Sequence, residues 1–185
     1  RTTGRRDSSL RAVNLAVFDI WCVAAPQYLR ERGTPRRLAD LAPTLLELRD
    51  PRIKAVIVLS APPFYGEASP QQILGPVRVP SLHVTATEDI IRIPGYYSGA
   101  DDRVAVFDAT GSARKTLAVF NGGSHSMFTD RTGTGGVQLN PQVKGATREL
   151  SLAFLNSVFK GDEAALAAWP GQFAGILARF TRSNP

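Results

Sequence analysis

The stretch Ile53-Lys54-Ala55-Val56-Ile57-Val58-Leu59 decides the fold, because it is almost entirely apolar and rich in β-branched residues. Two later runs have the same character, Val79–Thr85 and Thr116–Phe120. Short strands that are continuously apolar, rather than alternating, are typical of a parallel sheet buried on both faces. We therefore predict an α/β fold, with a parallel sheet flanked by helices.

The remaining segments complete this prediction. A fourth strand of the sheet is expected near Val13, in the apolar run Val13–Val17, whereas Val104–Phe107 fits either a helix or a strand. A long amphipathic helix is predicted over Pro141–Phe159, and Gly161 is expected to end it. Four shorter segments also have helical patterns: Ala24–Arg30, Arg36–Arg49, Glu163–Ala168 and Phe173–Phe180.

Length and composition are those of a globular chain. The 185 residues are 43% hydrophobic and 21% charged, which suits a single packed domain. We predict a polar segment over residues 1–12 and one domain over residues 13–185. No stretch approaches the roughly 20 consecutive apolar residues of a membrane helix, so no membrane span is expected. Because the sequence starts at Arg1, without methionine or a signal-peptide pattern, we expect a processed or partial chain.

The positive charge lies mostly in the first third of the chain. Residues 1–54 carry 11 basic and 6 acidic side chains, which supply 11 − 6 = +5 of the net charge of +6. No aromatic residues interleave with the arginines, so a solvated segment is favoured over a nucleic-acid partner. With one cysteine and two histidines, neither a cofactor nor a metal site is expected. These features allow both an exported and a cytoplasmic protein.

Two loops carry groups that are suited to catalysis. Asp89 follows the Val79–Thr85 run, and His125 follows the Thr116–Phe120 run after Gly122 and Gly123. In a parallel sheet, reactive groups lie beyond the carboxyl ends of the strands. A carboxylate there can accept one imidazole N–H and leave the other ring nitrogen as a base. Taken singly, Asp89 also fits a turn or helix cap, and His125 also fits a solvated loop.

A family resemblance adds to this interpretation. Pro80–Asp89 resembles the acid-bearing segment of the α/β-hydrolases, and Asn121–Phe128 resembles their histidine loop. With Asp50–Val56, the likeness covers the C-terminal half of a dienelactone-hydrolase-like or polyester-hydrolase-like esterase. It implies a partial α/β-hydrolase fold without its N-terminal strands. It also implies hydrolysis of a small or polymeric carboxylic ester, with Asp89 orienting His125 as general base and acid.

The nucleophile of that family is missing from its expected place. No G-x-S-x-G elbow precedes Asp89, and Trp21 stands where the serine belongs. Cys22 is a candidate thiolate, although a lone cysteine beside Trp21 and Val23 also fits a buried apolar residue. We expect an esterase that is truncated or whose reading frame is disturbed near the elbow, and the sequence leaves both an active and an inactive form open. The alternative is a non-catalytic binding or scaffold domain of the same fold.

Two further expectations follow from the partial fold. A sheet of four strands leaves one long edge unpaired, which predicts self-association through that edge. His83 lies between Leu82 and Val84 in an apolar run and is expected to be a core histidine rather than a base.

Overall fold

The computed structural model describes residues 11–14, 21–24, 30, 53–61, 69–128 and 138–183. The chain divides into two compact units, Arg1–Arg49 and Asp50–Pro185. In the first unit, strands β1 (Arg11–Asn14) and β2 (Trp21–Ala24) form a two-stranded antiparallel sheet. The predicted boundary after residue 12 stays a prediction, because residues 1–10 lie outside those described.

The second unit contains strands, α-helices and two short 3₁₀ helices. In chain order its described elements are β3 (Val56–Leu59), α1 (Pro70–Leu74), β4 (Ser81–Ala86), β5 (Ile91–Ile93), β6 (Tyr96–Ser98), α2 (Ala100–Ala109), β7 (Lys115–Phe120), a 3₁₀ turn (His125–Phe128), α3 (Leu139–Lys160), α4 (Ala164–Gln172), a second 3₁₀ turn (Ala174–Ile176) and β8 (Leu177–Ser183).

The main sheet has the strand order β3-β4-β7-β8. The first three strands are parallel, with Ile57 opposite Leu82 and Leu82 opposite Thr116. Strand β8 pairs antiparallel with β7, and β5 and β6 form a separate hairpin. The result is a mixed, mostly parallel sheet flanked by helices, which is an α/β arrangement.

Strand β4 lies in the centre of the sheet and is covered on both faces. All six of its residues are buried. Leu82, Val84 and Ala86 lie in a core cluster that also contains residues of α3 and α4. On β7, Leu117 and Val119 pack in a second cluster with Phe107 of α2. Both faces are therefore covered, including the face of β4 that carries the buried polar residues Ser81, His83 and Thr85.

Helix α3 matches the predicted amphipathic helix. Its inner face contributes five residues to the core: Val143, Ala146, Leu150, Ala153 and Phe154. Gly161 ends the helix with φ 70°, and its N–H donates to the carbonyl of Asn156. Trp169 of α4 donates from Nε1 to the carbonyl oxygen of Ala146 at 3.0 Å, which joins the two helices.

Two predicted elements are wrong. The strand near Val13 belongs to the antiparallel β1-β2 pair and not to the parallel sheet. The Phe173–Phe180 segment was expected to be a helix, but Leu177–Ser183 forms β8. Its backbone groups pair with those of β7, so the tertiary contact overrides the helical spacing of its apolar residues. The ambiguous Val104–Phe107 run lies within α2.

Other predictions fall wholly or partly on undescribed residues. The predicted helices Ala24–Arg30 and Arg36–Arg49 lie mainly on residues 25–29 and 31–49, which are outside those described. In the described sheet, β3 is an edge strand and the side chains of Ile57 and Leu59 are exposed. Self-association through this edge stays a prediction. No helix among the described residues is both long enough and apolar enough to cross a membrane.

Candidate active site

Three neighbouring strand ends form the candidate site. Ser60 directly follows β3, Asp89 lies three residues after β4, and His125 lies in the loop after β7. Because β3, β4 and β7 are parallel and adjacent, their carboxyl ends meet at one edge of the sheet. The three side chains are in mutual contact there, although they are far apart in the sequence.

The two site residues predicted from the sequence lie together. Asp89 Oδ1 is 3.0 Å from His125 Nδ1. The Asp89 side chain is 0% exposed, whereas that of His125 is 41% exposed, so the ring reaches from a buried carboxylate towards solvent. Asp89 is thus neither a solvated turn residue nor a helix cap. Its catalytic role, like that of His125, stays a prediction.

Ser60 is a third member of the site, and sequence analysis missed it. Its Oγ lies 2.6 Å from His125 Nδ1 and donates a hydrogen bond to Asp89 Oδ2. Its backbone is left-handed, with φ 55°, which is uncommon for any residue except glycine. The only sequence signal is a serine directly after an apolar run that is predicted to be a strand, next in order to the strand that leads to Asp89.

The carboxylate of Asp89 is surrounded by donors. Thr85 Oγ1 and Ser60 Oγ both donate to Oδ2, with Thr85 at 2.7 Å. Arg103 Nη2 lies 3.5 Å from Oδ1, which also faces His125. An ionised carboxylate accepts about four hydrogen bonds and donates none, so these four neighbours satisfy it.

Arg103 is itself held by the start of helix α2. It donates to Ser98 Oγ and, at 3.2 Å, to the carbonyl oxygen of Gly99. Asp102 accepts hydrogen bonds from Ser98 Oγ at 2.7 Å and from the Gly99 N–H at 3.0 Å, which caps the helix. The first turns of α2 therefore place a buried cation beside the carboxylate of Asp89.

Two glycines shape the histidine loop, as the sequence predicts. Gly122 and Gly123 have φ values of 72° and 85°, which other residues rarely adopt. A Cβ atom on Gly123 would collide with the sulfur of Met127, which is fully buried beneath the loop. The Gly122 N–H donates to Thr87 Oγ1 at 2.8 Å, which ties this loop to the turn before Asp89.

The other two chemistry-bearing residues do not join the site. His83 is buried, contacts Ser81 Oγ at 3.3 Å through Nε2 and meets the ring of Phe107 edge-on, which confirms it as a core histidine. Burial, and to a lesser extent the charge of Lys115, lower the pKa of His83 to about 4. Cys22 lies in β2, and its side chain falls outside the described part of the chain.

The hydrogen bonds assign the protons of the site. The Ser60 hydroxyl donates to Asp89, so both oxygen atoms that face His125 Nδ1 act as acceptors. Nδ1 then carries the ring proton, and in the neutral ring Nε2 is an unprotonated acceptor. Such an imidazole can take a proton from a group placed at Nε2.

No protein-family model matches the chain, and no curated protein matches it significantly. Among the described residues, no group of three or more histidine, cysteine, aspartate or glutamate side chains could hold a metal ion.

Proposed function

We propose that this chain is a carboxylic-ester hydrolase of the α/β-hydrolase type, in which His125 is the general base and acid and Asp89 orients it. The observation that carries the proposal is the contact of Asp89 Oδ1 with His125 Nδ1, at the ends of two adjacent parallel strands. It agrees with the resemblance to dienelactone-hydrolase-like esterases in Pro80–Asp89 and Asn121–Phe128.

The chemistry follows from the ring orientation. His125 Nε2 removes the proton of a nucleophile as that nucleophile attacks the ester carbonyl, and the imidazolium then protonates the departing alcohol. In the second half of the reaction, the same nitrogen removes a proton from a water molecule as that water attacks the acyl group on the nucleophile. The acyl–nucleophile bond then breaks, the imidazolium returns the proton to the nucleophile, and the carboxylic acid is released. The buried Asp89 carboxylate stabilises the imidazolium formed in each step.

The substrate is an ester, either small or polymeric. The exposed edge of His125, beside a fully buried acid, supports access of a substrate from solvent to the base.

Hydrolysis of 4-nitrophenyl butyrate tests the proposal. His125→Ala and Asp89→Asn are each expected to lower kcat/KM on the order of 10²-fold or more. Glu88→Gln is the matched control for the acid, because Glu88 is the adjacent carboxylate and is exposed. Equal activity in all four proteins contradicts the assignment. No turnover by a folded wild-type chain favours the alternative, a non-catalytic domain of the same fold.

A Cys22→Ala variant tests the candidate nucleophile. Loss of turnover in a folded variant identifies the thiol as the attacking group, whereas unchanged kinetics exclude it.

A further inference from the structure

We infer that Ser60 is a positioning residue, which fixes the His125 ring with Nδ1 towards the acid and Nε2 towards the substrate. The inference deepens the proposed function, because the consequence of that orientation is a base at Nε2. It rests on three observations: the contacts of the Ser60 hydroxyl, its burial and its backbone conformation.

The contacts of Ser60 place it between the acid and the base. Its hydroxyl donates to Asp89 Oδ2, and its oxygen is 2.6 Å from His125 Nδ1. Asp89 Oδ1 is farther from the same nitrogen, at 3.0 Å. Ser60 Oγ is therefore the nearer of these two acceptors for the Nδ1 proton. Its hydrogen bond to Oδ2 also restrains the Asp89 carboxylate, whose Oδ1 is the second acceptor.

The same contacts argue against Ser60 as the attacking group. In a nucleophile–histidine–acid arrangement, the acid and the nucleophile contact different nitrogens of the ring. Here Ser60 and Asp89 share Nδ1, and the serine proton is directed to the acid. Ser60 is also only 4% exposed, so an ester carbonyl has little access to its oxygen.

The backbone of Ser60 is held in a conformation that needs support. Its N–H continues the sheet by donating to the Val84 carbonyl at 2.7 Å, and the chain then turns through φ 55°. A residue other than glycine stays in the left-handed conformation only where contacts with its surroundings offset the cost of that conformation. The two contacts of the hydroxyl, with Asp89 and His125, supply that support.

Two substitutions separate the effect of losing the Ser60 hydroxyl from the effect of its strained backbone conformation. Ser60→Gly removes the hydroxyl and relieves the left-handed conformation, whereas Ser60→Ala removes the hydroxyl and keeps the strain. Ser124→Ala is the matched control. It removes a serine next to His125 whose Oγ has no hydrogen-bond partner among the described residues.

Nitrogen NMR of the His125 ring is the first measurement, and it needs no enzymatic activity. In the ¹⁵N-labelled wild-type chain and in Ser124→Ala, the neutral ring is expected to carry its proton on Nδ1. In Ser60→Gly and Ser60→Ala, a mixture of the two tautomers is expected, because the nearest acceptor of that proton is lost. An unchanged ring in both Ser60 variants overturns the inference. A change in Ser60→Ala alone also overturns it, because the effect then belongs to the backbone.

Kinetics and labelling complete the test. With 4-nitrophenyl butyrate, both Ser60 variants are expected to lose about tenfold or more in kcat with little change in KM, as expected for a misplaced base. A fluorophosphonate probe followed by peptide mass spectrometry is expected to leave Ser60 unmodified, and an adduct on Ser60 overturns the inference. If the wild-type chain hydrolyses no ester, the proposed function fails, while the NMR comparison still decides the role of Ser60.

Discussion

Arg103 and Asp89 form an ion pair in which both side chains are buried. Arg103 Nη2 lies 3.5 Å from Asp89 Oδ1, and the two side chains are 2% and 0% exposed. Charges that leave water are stable only when they are paired and hydrogen-bonded, so each of these residues depends on the other. The oxygen atom of Asp89 that faces Arg103 is also the one that faces His125 Nδ1.

Removal of Arg103 is therefore expected to destabilise the protein. Arg103→Met keeps much of the side-chain volume but leaves the Asp89 carboxylate without its cation, at a cost of about 3–5 kcal/mol. Urea denaturation measures this change. Arg114→Met is the control, because Arg114 and Glu163 pair at 3.2 Å where both side chains are partly exposed. The loss of this pair and of the hydrogen bond from Arg114 to Ser157 is expected to stay within about 1–2 kcal/mol. Similar losses in the two variants contradict the prediction.

The histidine loop is expected to be intolerant of a side chain at Gly123. Gly123→Ala combines a left-handed backbone with a Cβ that collides with buried Met127, so it is expected to reduce both stability and esterase activity. Gly145→Ala in helix α3 is the matched change, because a Cβ there meets nothing within 4 Å. In a helix interior it is expected to stabilise the protein by about 0.5–1 kcal/mol. Thermal unfolding checks both expectations: Tm is expected to fall in Gly123→Ala and to rise in Gly145→Ala.

His83 is expected to make the stability of the protein sensitive to acid. Its pKa is about 4 in the folded chain against 6.5 in the unfolded chain, so below pH 6.5 the unfolded state binds a proton that the folded state does not. Stability therefore falls as the pH drops from about 6.5 to 4, by up to roughly 3 kcal/mol from this residue.

The variant His83→Gln isolates that effect, because glutamine can hydrogen-bond but does not titrate. Urea denaturation of both proteins between pH 7 and 4.5 is expected to show a steeper loss for the wild type. Parallel pH profiles for the two proteins would falsify the assignment to His83.

Trp169 is expected to be the main attachment of α4 to the core. It is fully buried, and its ring lies 5.5 Å from that of Phe180 in β8. Trp169→Phe loses the hydrogen bond to the Ala146 carbonyl and is expected to cost about 1–3 kcal/mol, whereas Trp169→Ala is expected to cost about 3–5 kcal/mol. Phe159→Ala, at a position that is 60% exposed, is the control, with an effect of about 0.5 kcal/mol or less.

Much of the sheet could be predicted from local composition. The runs that contain β4 and β7 form the central strands, whose residues are almost all buried because helices cover both faces. The run that contains β3 is equally apolar, although Ile57 and Leu59 of this edge strand are exposed. Helix α3 and its end at Gly161 were equally clear, since amphipathic spacing and a left-handed glycine are local properties.

The acid and the histidine of the candidate site were also within reach of the sequence. Asp89 and His125 each follow a strand that can be identified from its apolar residues, and parallel neighbours bring such loops to one edge. Ser60 follows a strand in the same way. Its role depends on the direction of one hydroxyl and on a φ of 55°, and neither leaves a pattern in the sequence.

The sequence by itself determined the elements that produce a local pattern. Apolar runs predict three parallel strands and the loops after them that carry Asp89 and His125, and amphipathic spacing predicts the long helix. Only the tertiary structure decided β8 and Ser60. Leu177–Ser183 becomes a strand because β7 offers unpaired backbone groups to it. Ser60 enters the site because β3, β4 and β7 lie side by side, so that its hydroxyl meets an acid and an imidazole from distant parts of the chain.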